Sequence, residues 1–114
     1  IMDRMKDIII SGGENISTVE VENVIYRHPD VLEVAVVAAP DAKWGEVPKA
    51  FVVLKPGVVA GGVLTRELQD HVKQAIAPYK YPRAIEYVDS LPRTETGKLQ
   101  RFRLREMARG ATRC

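Results

Sequence analysis

Short aliphatic runs, each cut by glycine or proline, limit what this chain can become. Ile8-Ile9-Ile10 ends at Ser11-Gly12-Gly13, Val31 to Ala39 closes at Pro40-Asp41, and Ala50-Phe51-Val52-Val53-Leu54 stops at Pro56-Gly57. Runs of this kind, bounded by turn residues, read as strands. Between them the period changes. Ser17 and Glu20 form a Ser-x-x-Glu capping box, Val21, Val24 and Ile25 follow at helical spacing, and His28-Pro29-Asp30 stops that helix. A second helix begins near Thr65, carries Leu64, Leu68, Val72 and Ile76 as an i, i+4 stripe, and is ended by Pro78. Ala84 to Val88 reads as a further short strand and Gln100 to Ala108 as a last helix. The order predicts an α+β fold, a small mixed β-sheet packed by helices. A three-stranded sheet with helices at both ends would satisfy it.

The 114 residues suffice for one domain with a real core. Cys114 is the only cysteine and the last residue, so no internal disulfide forms, which suits a reducing, cytoplasmic setting. A net charge of +2 is too small to imply nucleic-acid binding by itself. No apolar run reaches about 18 residues, which argues against a membrane span. Ile1-Met2-Asp3-Arg4-Met5-Lys6-Asp7 resembles neither a signal peptide nor the opening of a domain and reads as a linker. The expected division is therefore a linker at 1–7, a domain at 8–109 and a tail at 110–114.

Chemistry is concentrated in Pro92-Arg93-Thr94-Glu95-Thr96-Gly97-Lys98. The stretch is a polar turn that presents one lysine, a mobile positive charge suited to neutralising a carboxylate and a phosphate together. Gly97 lets the backbone come close to a ligand, and Thr94 and Thr96 can orient the turn. An ordinary surface lysine in a loop is the plainer reading. The residues after Pro92 are strongly basic (Arg93, Lys98, Arg101, Arg103, Arg105, Arg109 and Arg113 against Glu95 and Glu106). They fit either a solvated helix or a positive field over an anion. Gly12-Gly13 before a helix fits a phosphate approach or a turn that needs positive φ. Trp44, the only tryptophan, sits in the polar stretch Pro40 to Glu46, as a contact surface or as packing over the sheet edge. Tyr79-Lys80-Tyr81 offers aromatic faces and a charge to a nucleotide, or closes the core. There is no sequence cluster of metal ligands, and no metal site is expected.

Taken in order, these segments resemble the C-terminal domain of the adenylate-forming superfamily, which includes acyl-CoA synthetases, the adenylation domains of peptide synthetases and luciferases. The resemblance runs from Asp3 to about Glu106. It rests on Asp3-Arg4-Met5-Lys6-Asp7 with Ile8 to Asn15, on Val19-Glu20-Val21-Glu22, on Asp41 to Glu46, and on Leu91 to Lys98.

The resemblance implies that a large N-terminal domain, outside this chain, holds the phosphate-binding loop and the acid pocket, with ATP and Mg²⁺ bound mainly there. The whole enzyme would activate a carboxylic acid with ATP and pass the acyl group to coenzyme A. The small domain would swing between two poses. Its catalytic lysine falls on Lys98, its hinge on Lys6, and Arg4 matches an arginine that approaches the adenylate ribose and phosphate. Gly12 and Gly13 would line the pantetheine tunnel, and Trp44, Tyr79 and Lys80 would lie where the nucleotide of coenzyme A docks. Tyr81 departs from an arginine found there in some relatives. Ala77 to Pro82 also resembles aryl-acid ligases. The implied partners are the chain's own N-terminal domain and small molecules; a homo-oligomer would form through that domain.

Two other readings remain. One is an independent module binding protein or RNA through its basic tail, although Phe51 is the only aromatic among Ile8 to Ile10, Val31 to Ala39 and Ala50 to Leu54, unlike RNA-reading sheets. The other is an adenylation fragment whose acceptor thiol is carried on a protein.

Overall fold

The computed structural model describes residues 8–110. It opens with a hairpin of β1 (Ile8–Ser11) and β2 (Glu14–Ser17), paired from Ile8↔Ser17 to Ser11↔Glu14. The two-residue turn between them is Gly12-Gly13, at φ 58° and 87°. Positive φ at both turn positions matches the right-handed strand twist, and glycine takes it at no steric cost. Ser17 then caps α1 (Thr18–Tyr26), its hydroxyl accepting the Glu20 N–H.

The centre of the sheet is the antiparallel pair β3 (Val31–Asp41) and β4 (Gly45–Leu54). After α2 (Gly62–Ala75) and a 3₁₀ turn at Pro78–Lys80, β5 (Ala84–Tyr87) returns parallel to β4. A final helix, α3, spans Arg101–Gly110. The spatial order is β2-β1-β4-β3, with β5 on the same side of β4 as β1 but further along. The sheet is therefore mixed, as expected, but has five strands rather than three.

Alternation along β3 and β4 explains their nearly continuous aliphatic sequence. Val36, Ala50 and Val52 face one cluster, closed by Val21, Val24 and Ile25 of α1 and Leu64, Leu68 and Val72 of α2. Ala35, Val37, Phe51 and Val53 face the other, closed by Leu91 and by Leu104 and Ala108 of α3. Strands buried on both faces have no polar side to show. The helices thus stand on both faces, and two separate cores share one sheet.

β3 is the outer strand, and its free edge is closed by side chains. The Val36 N–H donates to Glu22 Oε2 at 2.7 Å, and Arg101 donates to the Val36 carbonyl at 3.2 Å. Arg101 also grips both carboxylate oxygens of Glu22, at 2.6 and 2.9 Å. The pair is nearly buried, with side chains 12% and 13% exposed. It fills the hydrogen bonds a neighbouring strand would have made and ties α1 to α3 around the edge.

Candidate functional site

The lysine segment is a tight hairpin. Thr94 N–H donates to the Lys98 carbonyl at 2.8 Å, Gln100 N–H to the Pro92 carbonyl at 2.9 Å, and Arg93 bridges Leu99. Gly97 N–H closes a turn on the Thr94 carbonyl at 2.9 Å, with Gly97 itself at φ 90°. That is the three-residue hairpin loop in which a turn is followed by one left-handed residue, so the glycine is required by geometry. The two threonines orient the turn as expected. Their hydroxyls lie 3.0 Å apart, and Thr94 Oγ1 accepts the Lys98 N–H at 3.1 Å. Lys98 is exposed, and among the described residues its ammonium has no ion-pair partner. The backbone is fixed and the charge is unspent. A lysine in that condition can serve an anionic ligand at no cost to the fold.

The hairpin is fastened to the start of β3. Arg93 donates to Glu33 Oε1 at 2.8 Å and to the Gly97 carbonyl at 3.0 Å. With Arg101 engaged by Glu22 and Arg93 by Glu33, two of the basic residues after Pro92 are neutralised inside the domain. The expected positive field is smaller than the sequence count suggested.

A second assembly occupies the far end of β3. The Asp41 Oδ1 accepts the N–H groups of Lys43 and Trp44 at 2.8 and 2.9 Å, making the turn that carries Trp44. Gly12 N–H donates to the Trp44 carbonyl at 2.9 Å, and a Cβ on Gly12 would stand 2.4 Å from the indole Cε3. Only glycine lets the β1–β2 turn lie on the indole. Gly13 has open space above its Cα. The Arg83 guanidinium lies 5.0 Å from the Trp44 ring and 5.1 Å from the Tyr81 ring, and Lys73 Nζ lies 4.3 Å from Tyr81. Lys43 Nζ, at 5.0 Å, flanks Trp44 on its own turn. Aromatic faces and cations therefore alternate across this end, a surface suited to a base and phosphates.

Of the sequence candidates, Gly12, Gly13 and Trp44 thus come together. Lys80 pairs with Glu20 at 2.6 Å, and that hydrogen bond raises its pKa, while its ammonium sits 5.9 Å from the Tyr79 ring. Arg83 and Lys73 were not legible as site residues. The signal for Arg83 was the aromatic–basic alternation of Tyr79 to Tyr81, which continues two residues further. Arg4 and Lys6 lie outside the described residues. Eight steps along β3 lead from Glu33 to Asp41, and at about 3.3 Å each the two assemblies stand about 26 Å apart.

The fold also gathers His28, Asp30 and Glu67, with ligand atoms within 4.8 Å of one another. Both ring nitrogens of His28 are already engaged, Nδ1 by the Asp30 N–H at 3.2 Å and Nε2 by Glu67. No described helix is long and apolar enough to cross a membrane.

The Trp44 turn should respond to acid. The N–H of Trp44, and then that of Lys43, hold the Asp41 carboxyl below its ordinary value. A depressed carboxylate contributes stability that is complete above the unfolded pKa, about 3.9, and is lost as pH falls through the folded value. Emission from Trp44 should hold steady from neutrality to about pH 4 and change only below it. A transition centred near pH 6 would rule out this cause.

Residues 20–98 match the family model described as the AMP-binding enzyme C-terminal domain. The chain is 51% identical over 110 residues to the 2-methylpropanoate–CoA ligase CCL4 of Humulus lupulus, covering 96% of this chain and 20% of that protein. The crystal structure of Brucella canis acyl-CoA synthetase superposes with TM-score 0.88 and 44% identity, over 92% of this chain and 19% of that one. The anthranilate CoA ligase AuaEII, solved with anthranoyl-AMP, gives TM-score 0.87 and 44% identity over 96% of this chain and 21% of that one. The chain spans about a fifth of the length of these relatives. A lysine hairpin at one end of β3, a glycine-backed indole at the other, and agreement in sequence and fold place the chain in the family of AMP-binding enzyme C-terminal domains.

Proposed function

We propose that this chain is the mobile C-terminal part of an acyl-CoA synthetase, an AMP-forming acid–thiol ligase. Carboxylic acid, ATP and coenzyme A become acyl-CoA, AMP and pyrophosphate. In the first step a carboxylate oxygen attacks the α-phosphorus of ATP and pyrophosphate leaves. In the second the thiolate sulfur attacks the acyl carbonyl carbon and AMP leaves. The observation that carries the reading is the exposed Lys98, without an ion-pair partner among the described residues, on a backbone held on both sides.

Carboxylate and α-phosphate repel each other, and Lys98 offsets that repulsion and aligns the attack. ATP, with Mg²⁺, would be held mainly by the N-terminal domain outside this chain, which also selects the acid. A selector outside this chain is in keeping with relatives named for different acids, one for 2-methylpropanoate and another for anthranilate. Arg4 would approach the adenylate, and Lys6 would be the pivot that brings the far end of β3 to the same centre. There Gly12 and Gly13 would line the thiol's path, and Trp44, Arg83, Tyr81, Tyr79 and Lys80 would receive the nucleotide of coenzyme A. A homo-oligomer would form through the N-terminal domain. A reducing, cytoplasmic location fits a chain with one cysteine.

The two ends can be tested separately. In the full-length protein, Trp44→Ala should raise the KM for coenzyme A by at least about tenfold, since base–aromatic contacts are worth about 1–3 kcal/mol each. Acid-dependent pyrophosphate release without thiol should stay unchanged. Equal loss of both steps would remove the assignment of the Trp44 end. The alternative acceptor, a thiol carried on a protein, is separated by the same assay. Turnover with a carrier protein and none with free coenzyme A would select it.

A further inference from the structure

The peptide unit joining Gly97 to Lys98 has both of its polar groups held. Its carbonyl accepts from Arg93 at 3.0 Å, and its N–H donates to Thr94 Oγ1 at 3.1 Å. The next carbonyl, that of Lys98, accepts the Thr94 N–H at 2.8 Å. The planes before and after the Lys98 Cα cannot rotate without breaking a bond, so the direction of its Cα–Cβ bond is set. Arg93 does not act alone. Its other nitrogen is anchored 2.8 Å from Glu33 on β3, and β3 is the long strand through both cores.

We propose that Glu33 and Arg93 are positioning residues for Lys98. Together they form a strut that transfers the rigidity of β3 to the peptide from which the lysine side chain departs. The strut touches no reacting atom. It acts by aiming the ammonium, and it rests on the reading of Lys98 as the adenylation group. Arginine suits the place because its planar fork can reach a carboxylate and a carbonyl at once, whereas a lysine ammonium must choose between them. The side chains are 43% and 38% exposed, so the pair adds little to global stability. Their value would lie in geometry, because small misplacements of a catalytic group cost large factors in rate.

The test uses the full-length protein, with adenylation followed by acid-dependent pyrophosphate release and the thioester step by coenzyme A added to supplied acyl-adenylate. Arg93→Met should lower kcat for adenylation about tenfold with KM for acid and ATP little changed. The thioester step and the melting temperature should stay at the parent values. Arg93→Lys should recover part of the loss, and Glu33→Gln should fall between the parent and Arg93→Met. Unchanged adenylation in Arg93→Met, beside an inactive Lys98→Ala control, would overturn the strut and leave the role of Lys98 standing. Equal loss of both half-reactions would show a merely structural contact. If Lys98→Ala itself adenylates normally, the assigned function fails, and the strut with it.

Discussion

Lys98→Ala is expected to lower acyl-adenylate formation in the full-length protein by at least about 10²–10³-fold, the usual cost of losing one preorganised charged contact to a transition state. Thioester formation from supplied acyl-adenylate should continue at nearly its original rate. The asymmetry follows from geometry. Lys98 lies at the Glu33 end of β3, and the surface around Trp44 lies at the Asp41 end, so the substitution leaves the second surface intact. Nor should folding suffer, because the side chain is exposed and the hairpin is held by backbone, threonine and Arg93 contacts. Pyrophosphate release and acyl-CoA formation, measured separately, decide the matter. Parallel loss in both would remove Lys98 from the first step.

Glu22→Ala should give the largest loss of stability. It leaves the Arg101 guanidinium without its bidentate partner in a nearly buried place and takes the acceptor from the Val36 N–H. Breaking such a pair by removing one member costs about 3–5 kcal/mol. For a domain of this size that corresponds to a drop in melting temperature of at least about 12 °C. Thermal unfolding followed by circular dichroism would show it. A change under about 2 °C would mean that the pair contributes no more than an exposed one.

The element order could be read from the sequence because periodicity changes so plainly, from Ile8-Ile9-Ile10 to the Val21, Val24 and Ile25 stripe and back. The strand ends could not. Pro40 and the polar stretch after it looked like terminators, yet β3 runs to Asp41 and β4 begins at Gly45, leaving a turn of three residues. Pro40 stands in register with Val36, whose N–H points to the free edge, so its missing donor costs the ladder nothing. Pro48 lies in the gap between β1 and β5, where its carbonyl takes the Arg83 N–H. β2 escaped because only Ile16 among its four residues is aliphatic. The start of α2 at Gly62 rather than near Thr65 was hidden by its glycines.

At the site, what is adjacent in sequence was legible and what the fold joins was not. Gly97 and Lys98 announce each other, and Thr94 and Thr96 stand beside them. The partners of Arg93 and Arg101 lie 60 and 79 residues away, and no local pattern links them. The same holds for Arg83 and Trp44. Composition showed that cations were present, and only the sheet shows which are spent.

The side-chain seal on β3 has one more consequence. An exposed strand edge is a template on which another chain can add itself. By occupying the N–H and carbonyl of Val36 in the middle of the edge, Glu22 and Arg101 deny an incoming strand its central rungs. Loss of that seal should therefore be felt first as self-association of a still-folded protein, before any loss of turnover.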